Sequence, residues 1–414
     1  MRRVAGVLVL AVVVAIFVGS AAWQQNRPAT EPVRDIFPIM PWEIQPDKQV
    51  LLEEPGHGIL SMRACGFDTV AFVRPDQLKR VENAGMRALV GRASDLSVNW
   101  RELSDKAIVD RVRKLVDGSG ESEALLGYFL ADEPSASDFA ALGKAVAAVR
   151  KYAPGKLAYI NLYPNYATRS QLGTKSYTDY LERYVTQVKP QFVSYDNYSV
   201  QYSMDLTNRV RAASYYRNLL EVRRVAMKYG LPFWNAVSSN RIRPYTTVPS
   251  PANLRMQAYT TLAAGGRGLT WFTYYVGRYA YAPIDRAGNR TPTWSYLRNV
   301  NMQVKTLRPI LIRLRSTGVY FTQPPPAPGL PLLPEKWVDA IESATPLMVG
   351  ELSDEGGGRF VMVVNLSLKR GAKVFVKANA KSVELVSLVD RSLKPLAADG
   401  SLWLRAGQGM LLKV

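Results

Sequence analysis

The feature of this sequence that most constrains its fold is a regular alternation of short apolar runs with longer amphipathic segments. Eight such runs between residues 35 and 315 are predicted strands, and segments with helical periodicity separate them. The predicted strands are Ile36–Met40, Thr69–Val73, Arg87–Val90, Leu126–Leu130, Leu157–Leu162, Phe192–Tyr195, Pro232–Ala236 and Leu269–Phe272. Eight strand-then-helix units are typical of a parallel (β/α)₈ TIM barrel, with an open eight-stranded sheet as the alternative.

The segments between the runs carry apolar residues at helical spacing. Leu142, Val146 and Val149 fall on one face of a helix predicted over Phe139–Tyr152. Other helices are predicted over Tyr177–Val188, Leu219–Tyr229 and Trp294–Leu307. We expect the last of these to end before Pro309, because proline interrupts helical hydrogen bonding.

The pattern changes after Leu314. A Pro-rich stretch over 316–335 is predicted to be a linker or surface segment. Residues 336–414 contain short strand-like runs that are separated by turn signals such as Gly356-Gly357-Gly358. We therefore predict a C-terminal antiparallel β-sandwich domain.

Residues 1–23 are predicted to be an export signal or a membrane anchor. Two arginines precede an uncharged apolar run, and Ser20 and Ala22 are small residues spaced for cleavage before Trp23. The uncharged run is also long enough to span a bilayer, so a cleaved signal and a retained anchor both stay open. A polar tether over 24–34 follows. We therefore expect a periplasmic or secreted protein, which contacts the membrane through this segment if it is uncleaved.

Composition excludes several kinds of chemistry. The chain of 414 residues has one His, His57, and one Cys, Cys65. An internal disulfide and a Cys/His zinc site each need more of these residues. The sequence shows no phosphate-binding loop and no dinucleotide fingerprint. We expect no metal and no cofactor, and we expect carboxylates, Tyr, Asn and Arg to carry any catalysis.

The positive charge is concentrated in one region. The formal net charge is +19, and the segment from Leu206 to Ile284 holds ten Arg and one Lys with Glu221 as its only acid. Such a region favours an anionic partner. Since export argues against nucleic acid, we expect none to bind and consider an acidic glycan. An anionic-lipid or nucleic-acid binder is a hypothesis that rests on charge alone.

The carboxyl ends of the predicted strands, where barrel active sites lie, are rich in Trp, Tyr, Asn and carboxylate. Aromatic faces stack on sugar rings, and polar groups bond sugar hydroxyls, so this composition suits a carbohydrate cleft. The predicted substrate-binding residues are Trp42, Glu43, Asn161, Tyr163, Tyr195, Tyr198, Trp234, Asn235, Arg241, Trp271 and Tyr274. The segments after strands seven and eight also carry Arg243 and Arg278, which would bind acidic groups or form a solvated basic face.

The strongest element is the run from Gly127 to Pro134, in which an apolar strand brings Asp132 and Glu133 to the barrel mouth. A glycosidase needs a protonated carboxylic acid beside the scissile oxygen and a second group that stabilises the oxocarbenium-like transition state. An anionic Asp132 would raise the pKa of Glu133. In the alternative reading, Asp132 caps the next helix and Glu133 pairs with an Arg.

The motif Tyr-Phe-Leu-Ala-Asp-Glu-Pro resembles the acid/base strand of (β/α)₈ glycoside hydrolases. The stretches that start at Leu231 and at Met256 resemble strands seven and eight of clan A β-galactosidase-type barrels, in which a terminal β-sandwich is usual. The resemblance implies that Glu133 is the acid/base, with Asp132 in place of the usual Asn. It also implies a nucleophilic Glu on strand seven, but residues 232–284 contain no Asp or Glu.

Three hypotheses for the missing group stay open. The Asp-Glu pair resembles substrate-assisted N-acetylhexosaminidases, in which Asp132 would orient the acetamido group of the substrate with help from Tyr195 or Tyr198. Alternatively, Asp196 is the base or nucleophile opposite Glu133, unless it forms a salt bridge with an Arg. In the third hypothesis the cleft binds a glycan without cleaving it.

The sequence therefore predicts an exported glycoside hydrolase that acts on a cell-envelope or extracellular polysaccharide, neutral or acidic. Its predicted catalytic residues are Glu133, Asp132 and Asp196. A non-catalytic glycan-binding protein on the same barrel is the alternative.

Overall fold

The computed structural model describes residues 33, 35–42, 58–91, 98–203, 206–334, 337–378 and 382–414. The predicted signal or anchor, all of the tether except Val33, and Glu43 lie outside these residues. Among the residues that are described, no helix combines the length and the apolar character that crossing a membrane requires.

Eight parallel strands form the N-terminal barrel, in the order β1-β8-β7-β6-β5-β4-β3-β2. The strands are β1 (Ile39–Pro41), β2 (Thr69–Val73), β3 (Arg87–Val90), β4 (Leu125–Asp132), β5 (Leu157–Leu162), β6 (Val193–Asp196), β7 (Phe233–Ser238) and β8 (Leu269–Phe272). The backbone N–H of Ile39 donates to Oδ1 of Asp68 at 3.0 Å, and the N–H of Asp68 donates to the Ile39 carbonyl at 3.1 Å. These bonds join β1 to β2, so the predicted TIM barrel is confirmed.

Nine helices of the described residues connect or flank these strands. They are α1 (Ile59–Ala64), α2 (Leu78–Asn83), α3 (Asp105–Ser119), α4 (Phe139–Tyr152), α5 (Arg169–Leu172), α6 (Tyr177–Arg183), α7 (Arg209–Lys228), α8 (Pro251–Ala263) and α9 (Pro292–Leu311). Helix α7 starts well before the predicted Leu219, because Asn208 caps it by accepting the N–H groups of Val210 and Arg211. Helix α9 continues through Pro309, contrary to the predicted stop, and buries Leu307 and Leu311.

The barrel strands bury side chains on both of their faces, as parallel strands covered by helices do. The interior contains the aromatic side chains of Phe72, Phe129, Tyr159, Phe192 and Trp234. The rings of Phe192 and Trp234 stack with their centroids 4.0 Å apart. A second apolar shell fills the space between the strands and the helices. Which face a strand residue occupies therefore decides whether it reaches the barrel mouth.

The C-terminal region is a β-sandwich of a six-stranded and a three-stranded sheet, ordered β15-β14-β17-β12-β11-β9 and β10-β13-β16. Its strands are β9 (Arg315–Phe321), β10 (Val338–Ser343), β11 (Leu347–Ser353), β12 (Arg359–Asn365), β13 (Ala372–Ala378), β14 (Glu384–Val386), β15 (Leu393–Pro395), β16 (Ser401–Leu404) and β17 (Gly409–Lys413). Alternating residues such as Val349, Val363 and Val374 form the core between the sheets. The predicted β-rich C-terminal domain is thus confirmed.

The boundary between the domains differs from the prediction. Strand β9 directly follows α9 and occupies the first part of the predicted 316–335 linker. The Pro-rich stretch comes after β9, and Leu332 forms a bridge with Phe321. The segment therefore lies against the β-domain and does not link it to the barrel.

Helix α8 lies between the barrel and the β-domain and is buried on nearly its whole surface. A Cβ on Gly350 of β11 would stand 2.0 Å from the carbonyl oxygen of Ala263, and a Cβ on Gly407 would stand 2.0 Å from that of Ala252. Only glycine permits such close backbone approach. The guanidinium of Arg255 also donates to the Ala406 carbonyl at 2.7 Å. The two domains therefore share one packed interface.

Candidate active site

Strand β4 ends at Asp132, and Glu133 follows in the left-handed region with φ of 47°. Successive residues of a regular strand point to opposite faces, so a departure from strand geometry is needed to bring both side chains to one site. This conformation costs a non-glycine residue roughly 1–2 kcal/mol. The N–H of Glu133 donates to the Asn161 carbonyl at 2.8 Å, which holds the residue against the end of β5.

Three carboxyl groups act on one another at the carboxyl ends of β4 and β6. Burial raises the pKa of Asp132 to about 6. Burial, and then the charge of Asp132, raise the pKa of Glu133 to about 7. Burial, followed by the charges of Glu133 and Asp132, raises the pKa of Asp196 well above its ordinary value. We call these residues the carboxylate trio.

Asp132 is fixed by a chain of polar side chains inside the barrel. The amide Nδ2 of Asn161 donates to Oδ1 of Asp132 at 3.2 Å, and Ser194 Oγ donates to Oδ1 of Asn161 at 3.0 Å. Tyr159 lies within hydrogen-bonding distance of Ser194, with their oxygens 3.0 Å apart. Both polar atoms of Asn161 are thus engaged within the protein. We correct its predicted role from substrate binding to positioning of Asp132.

Asp196 is the last residue of β6 and is only 6% exposed. Its Oδ1 has no hydrogen-bond partner among the described residues. The nearby Tyr198 side chain opposes part of the rise in the pKa of Asp196. Because a buried carboxylate oxygen without a partner is costly, it suggests a group that meets a ligand.

The alternative roles considered for the acids were a helix cap for Asp132 and a salt bridge with an Arg for Glu133 or Asp196, and the described residues show neither. No ion pair there joins Asp196 or Glu133 to an Arg or Lys. The single helical turn that follows β4 spans Ala136–Asp138 and has Ser135 at its N-cap position, and Asp138 occupies that position for α4, so Asp132 caps neither element.

Tyrosines surround the carboxylate trio. Burial first, and then the charges of Glu133, Asp132 and Asp196, raise the pKa of Tyr163. The pKa of Tyr198 is raised as well, with burial and then the charge of Asp196 as the main causes. The N–H of Tyr198 donates to the Tyr166 hydroxyl at 3.3 Å. Tyr163 and Tyr198 were predicted site residues, whereas Tyr166 was missed although it follows the polar end of β5.

Aromatic rings line the barrel mouth beside the trio. Trp42, directly after β1, is partly buried and meets Phe72 edge-on with ring centroids 5.0 Å apart. Tyr198 stacks on Phe272 at the end of β8, with centroids 5.1 Å apart. Phe72 itself is buried in the barrel interior, so Trp42, Tyr198 and Phe272 are the rings that remain partly exposed at the mouth. Phe272 was missed, because Trp271 beside it was selected instead.

Four predicted substrate-binding residues point between the strands and the helices, where substrate does not reach. Trp271 donates to Asn301 of α9 at 2.9 Å, and Asn235 donates to Thr261 of α8 at 2.8 Å. The other two residues are Tyr274 and Tyr195. The Tyr274 hydroxyl donates to Ser61 at 2.9 Å, and Tyr195 is packed in the outer apolar shell. All four are buried, so we correct their roles to packing.

Trp234 points inward but lies too deep for the mouth. It is fully buried near the start of β7, stacked on Phe192 and beside Tyr159. Its register partner is Ser194, two residues before Asp196 on β6. We therefore assign Trp234 to the floor of the barrel.

The end of β7 carries neutral groups in place of the carboxylate that the resemblance implies. Ser238 is its last residue, and the amide of Gln201 donates to the Ser238 hydroxyl and to the Asn240 carbonyl. The N–H of Ser238 donates to Gln257 of α8 at 2.8 Å. This end of the barrel is thus closed by an amide and hydroxyl network.

Arg241 lies in the loop after β7. Its guanidinium stands over the ring of Tyr281, 5.7 Å from the centroid, and its Nε donates to the Arg243 carbonyl at 3.1 Å. The residue lies at the mouth side of the barrel, as predicted, but it does not pair with the carboxylate trio in the described structure.

A cavity of about 840 Å³ lies at the opposite end of the barrel, between the amino end of β7 and the β-domain. Its lining includes Phe233, Arg267 and Asp354 but no member of the trio. Since barrel active sites lie at the carboxyl ends of the strands, we place the candidate site at the trio.

Comparisons with known proteins find no relative by sequence but several similar structures. No protein-family model and no curated protein matches the sequence. A catalytic mutant of Gan42B, a GH42 β-galactosidase from G. stearothermophilus, matches with a TM-score of 0.61 and 9% identity, over 91% of this chain and 98% of that one. The β-galactosidase from the psychrophilic Marinomonas ef1 matches with a TM-score of 0.58 and 9% identity, over 91% and 100%.

A glycoside hydrolase family 5 structure from Bacteroides vulgatus also matches, with a TM-score of 0.56 and 12% identity, over 91% of this chain and 89% of that one. Identities this low are evidence of shared architecture. The chain therefore has the fold of these GH42 and GH5 glycosidase structures, a (β/α)₈ barrel followed by a β-rich domain.

Proposed function

We propose that this protein is a glycoside hydrolase in which Glu133 is the general acid/base and Asp196 is the second catalytic carboxylate. The observation that carries the proposal is the carboxylate trio at the carboxyl ends of β4 and β6. Burial and repulsion favour a protonated Glu133 near neutral pH. That is the state in which it can donate a proton to a leaving oxygen.

The reaction that we propose needs one protonated and one ionised carboxyl group in the trio. Asp132 ionises first, because the Asn161 amide favours its charged form. Glu133 and Asp196 titrate as interacting groups, and the active form that we propose keeps a proton on Glu133 while Asp196 is ionised. Asp196, with its free Oδ1, either attacks the anomeric carbon or activates a water. The neutral Ser238 on β7 cannot take this role.

We further propose a polysaccharide of the cell envelope or the extracellular space as the substrate. The export-like pattern of residues 1–23 supports this location. The aromatic rings of Trp42, Tyr198 and Phe272 beside the trio support a sugar ligand, because their flat apolar faces complement the C–H faces of pyranose rings.

The proposal is tested by Glu133→Gln, with Glu123→Gln as a matched control. Glu123 is an exposed residue just before the opposite end of the same strand, so its substitution makes the same chemical change away from the mouth. Hydrolysis is followed on a panel of 4-nitrophenyl glycosides and by new reducing ends from envelope polysaccharides. We expect Glu133→Gln to fold and to lose about 10²–10⁴-fold in kcat/KM, while the control keeps its activity. Undiminished activity in folded Glu133→Gln would show that Glu133 is not the general acid/base.

A second candidate function is glycan binding without cleavage. It is favoured by the absence of Asp and Glu from residues 232–284, which include β7 and its neutral end at Ser238. It predicts saturable binding of an envelope polysaccharide by the wild-type protein with no new reducing ends during long incubation. Turnover that depends on Glu133 would exclude it.

A further inference from the structure

We infer that the loops after β7 and β8 form a binding surface for the anionic groups of a glycan, an inference that rests on the proposed function. We call this surface the Arg–Tyr rim and define it by Arg241, Arg243, Arg278, Tyr279 and Tyr281. Its position beside the carboxylate trio gives the cleft a positive side and a negative side.

The basic segment of 206–284 divides into two groups of residues. One group makes structural contacts: Arg217 with the Pro328 carbonyl, Arg223 with Ser316, Arg224 and Lys228 with Glu182, Arg255 with the Ala406 carbonyl, and Arg267 with the carbonyls of Ile312 and Leu314. The other group lies at the start of α7 or in the loops after β7 and β8: Arg209, Arg211, Arg241, Arg243 and Arg278. None of this second group forms an ion pair within the described residues. The part of this segment's charge that no ion pair compensates therefore lies at the mouth.

Backbone hydrogen bonds hold the loops of the mouth together. The N–H of Arg241 donates to the Ala280 carbonyl at 2.7 Å, and the return bond from Ala280 to Arg241 is 3.1 Å. The N–H of Thr247 donates to the Gln201 carbonyl at 2.9 Å, which ties the β7 loop to the β6 loop. The rim is thus a set of arginines on a bonded backbone, which limits the entropy lost when a ligand binds.

Tyrosine rings position two of the guanidinium groups. Arg241 stands over Tyr281 with 5.7 Å to the ring centroid, and Arg278 stands over Tyr279 with 5.3 Å. Each guanidinium carries five N–H donors in a planar fork, and in each only the Nε donor is used in a described bond. The forks can therefore accept a carboxylate, sulfate or phosphate group in bidentate fashion.

Aromatic contacts connect the rim to the trio. The ring of Tyr279 meets Phe272 with centroids 5.1 Å apart, and Phe272 stacks on Tyr198, which follows Asp196 by two residues at the end of β6. A glycan that lies across these rings would place an anionic substituent at the rim and a glycosidic bond at the trio. The reverse orientation would bring the anion against three carboxyl groups and is disfavoured by repulsion.

The acid nearest in sequence does not neutralise the rim. Asp285 follows Tyr281 in the β8 loop, and its Oδ1 accepts the N–H groups of Ala287 and Asn289 at 2.9 Å and 2.8 Å. Asp285 thus stabilises its own turn, and within the described residues it forms no ion pair with an arginine of the rim. The free guanidinium donors of the rim suit it to binding oxyanions. A glycan with acidic substituents is the ligand that would also contact the rings of Tyr279, Phe272 and Tyr198.

The test compares binding of the combined variant Arg241→Gln, Arg243→Gln, Arg278→Gln with a control of equal charge loss. The control is Arg113→Gln, Lys114→Gln, Lys151→Gln, which removes exposed charges from α3 and α4, including an Arg that also stands over a tyrosine, Tyr152. Both are made in the Glu133→Gln background so that ligands are not consumed. The probes are polygalacturonate, alginate, dextran sulfate, a phosphorylated mannan and neutral galactan, with a DNA duplex and phosphatidylglycerol vesicles as other anions.

We expect the rim variant to bind the acidic glycans at least about tenfold more weakly than the control does, with neutral galactan unaffected. The ranking of the carboxylated, sulfated and phosphorylated probes identifies the acidic group. Equal binding of acidic glycans by the rim variant and the control overturns the inference, and so does DNA or vesicle binding that matches the best glycan. Rim-dependent glycan binding by a wild-type protein that hydrolyses nothing would reject the proposed function but not the rim.

Discussion

The side-chain amide of Asn161 donates to Oδ1 of Asp132 at 3.2 Å and so joins the end of β5 to the end of β4. The bond opposes the rise that burial causes in the pKa of Asp132. A charged Asp132 in turn raises the pKa of Glu133. Asn161 therefore influences Glu133, the proposed catalytic acid, through an intermediate residue, and this relationship can be tested.

We predict that Asn161→Ala moves the alkaline limb of the pH–activity profile to lower pH. Without the amide, Asp132 stays protonated to higher pH, repels Glu133 less and lets Glu133 ionise earlier. The loss of partners for Asp132 and Ser194 should also lower the free energy of unfolding by about 1–3 kcal/mol. The control is Asn165→Ala, which breaks bonds to Ser214 and so tests for loop disruption alone. An unchanged limb in Asn161→Ala would remove Asn161 from the positioning role.

In the wild-type protein we predict that kcat/KM falls on the alkaline side around pH 7. Glu133 must be protonated to act as the acid, and its pKa is about 7. The profile is measured with a substrate whose own groups do not titrate between pH 4 and 10, at constant ionic strength. A flat profile to about pH 9 would mean that another group supplies the proton.

Glu133→Gln is predicted to be more stable than the wild type above pH 7. The pKa of Glu133 is higher in the folded protein, about 7, than in the unfolded chain, where the ordinary value is 4.5. The folded state therefore binds the proton more tightly, and stability falls as pH rises from 4.5 through about 7. The glutamine variant lacks this loss, which is worth roughly 3 kcal/mol.

The measurement is chemical denaturation of both proteins at pH 4, 6 and 8. The two unfolding free energies should converge at pH 4 and diverge at pH 8. Glu123→Gln serves again as the control and should show no such divergence. Parallel pH profiles for wild type and Glu133→Gln would contradict the buried, raised state of this acid.

Asp196→Gly is predicted to lose at least about 10²-fold in kcat and to recover part of it with added azide or formate. A small anion can occupy the space of the missing carboxylate at the end of β6. Asp132→Asn distinguishes the substrate-assisted mechanism, which requires Asp132 and an N-acetylated sugar but not Asp196. Retained turnover in Asp196→Gly together with loss in Asp132→Asn would favour that mechanism over the proposed one.

At the domain interface, Gly350→Ala is predicted to destabilise the protein by about 2–3 kcal/mol. The added Cβ would stand 2.0 Å from the Ala263 carbonyl oxygen, so α8 or β11 must shift. Gly356→Ala is the control, since the added Cβ there meets only Asp354 Oδ1 at 3.4 Å. The melting temperatures of the two variants are compared. Equal values would show that the interface accommodates the added methyl group without a loss of stability.

The barrel could be predicted from the sequence because its strands are short, apolar and separated by strongly periodic helices. Strands β2, β3, β5 and β8 have the predicted bounds. Both faces of a barrel strand are buried, however, so apolarity does not reveal which residues point inward. Trp271 was selected where Phe272 points to the mouth, and Tyr195 was selected alongside Asp196. In both cases the strand was predicted correctly, but neighbouring residues of a strand point to opposite faces, so a shift by one residue selects the wrong face.

Part of the candidate site was predicted because its chemistry is local in sequence. Asp132 and Glu133 are adjacent, and Asp196 stands at a predicted strand end. Tyr166 and Gln201 were missed because their roles depend on contacts between loops that sequence periodicity does not encode. The predicted linker was wrong at its start for a related reason: β9 is recognisable as a strand only through its pairing with β11.

The burial of α8 between the barrel and the β-domain has a consequence for the order in which the chain can fold. The helix ends at Ala263, but part of its cover comes from β17, which ends at Lys413. The helix surface that β17 covers has no native neighbour until the last strand of the β-domain is in place. The seventh unit of the barrel therefore completes its packing only when the C-terminal domain has formed.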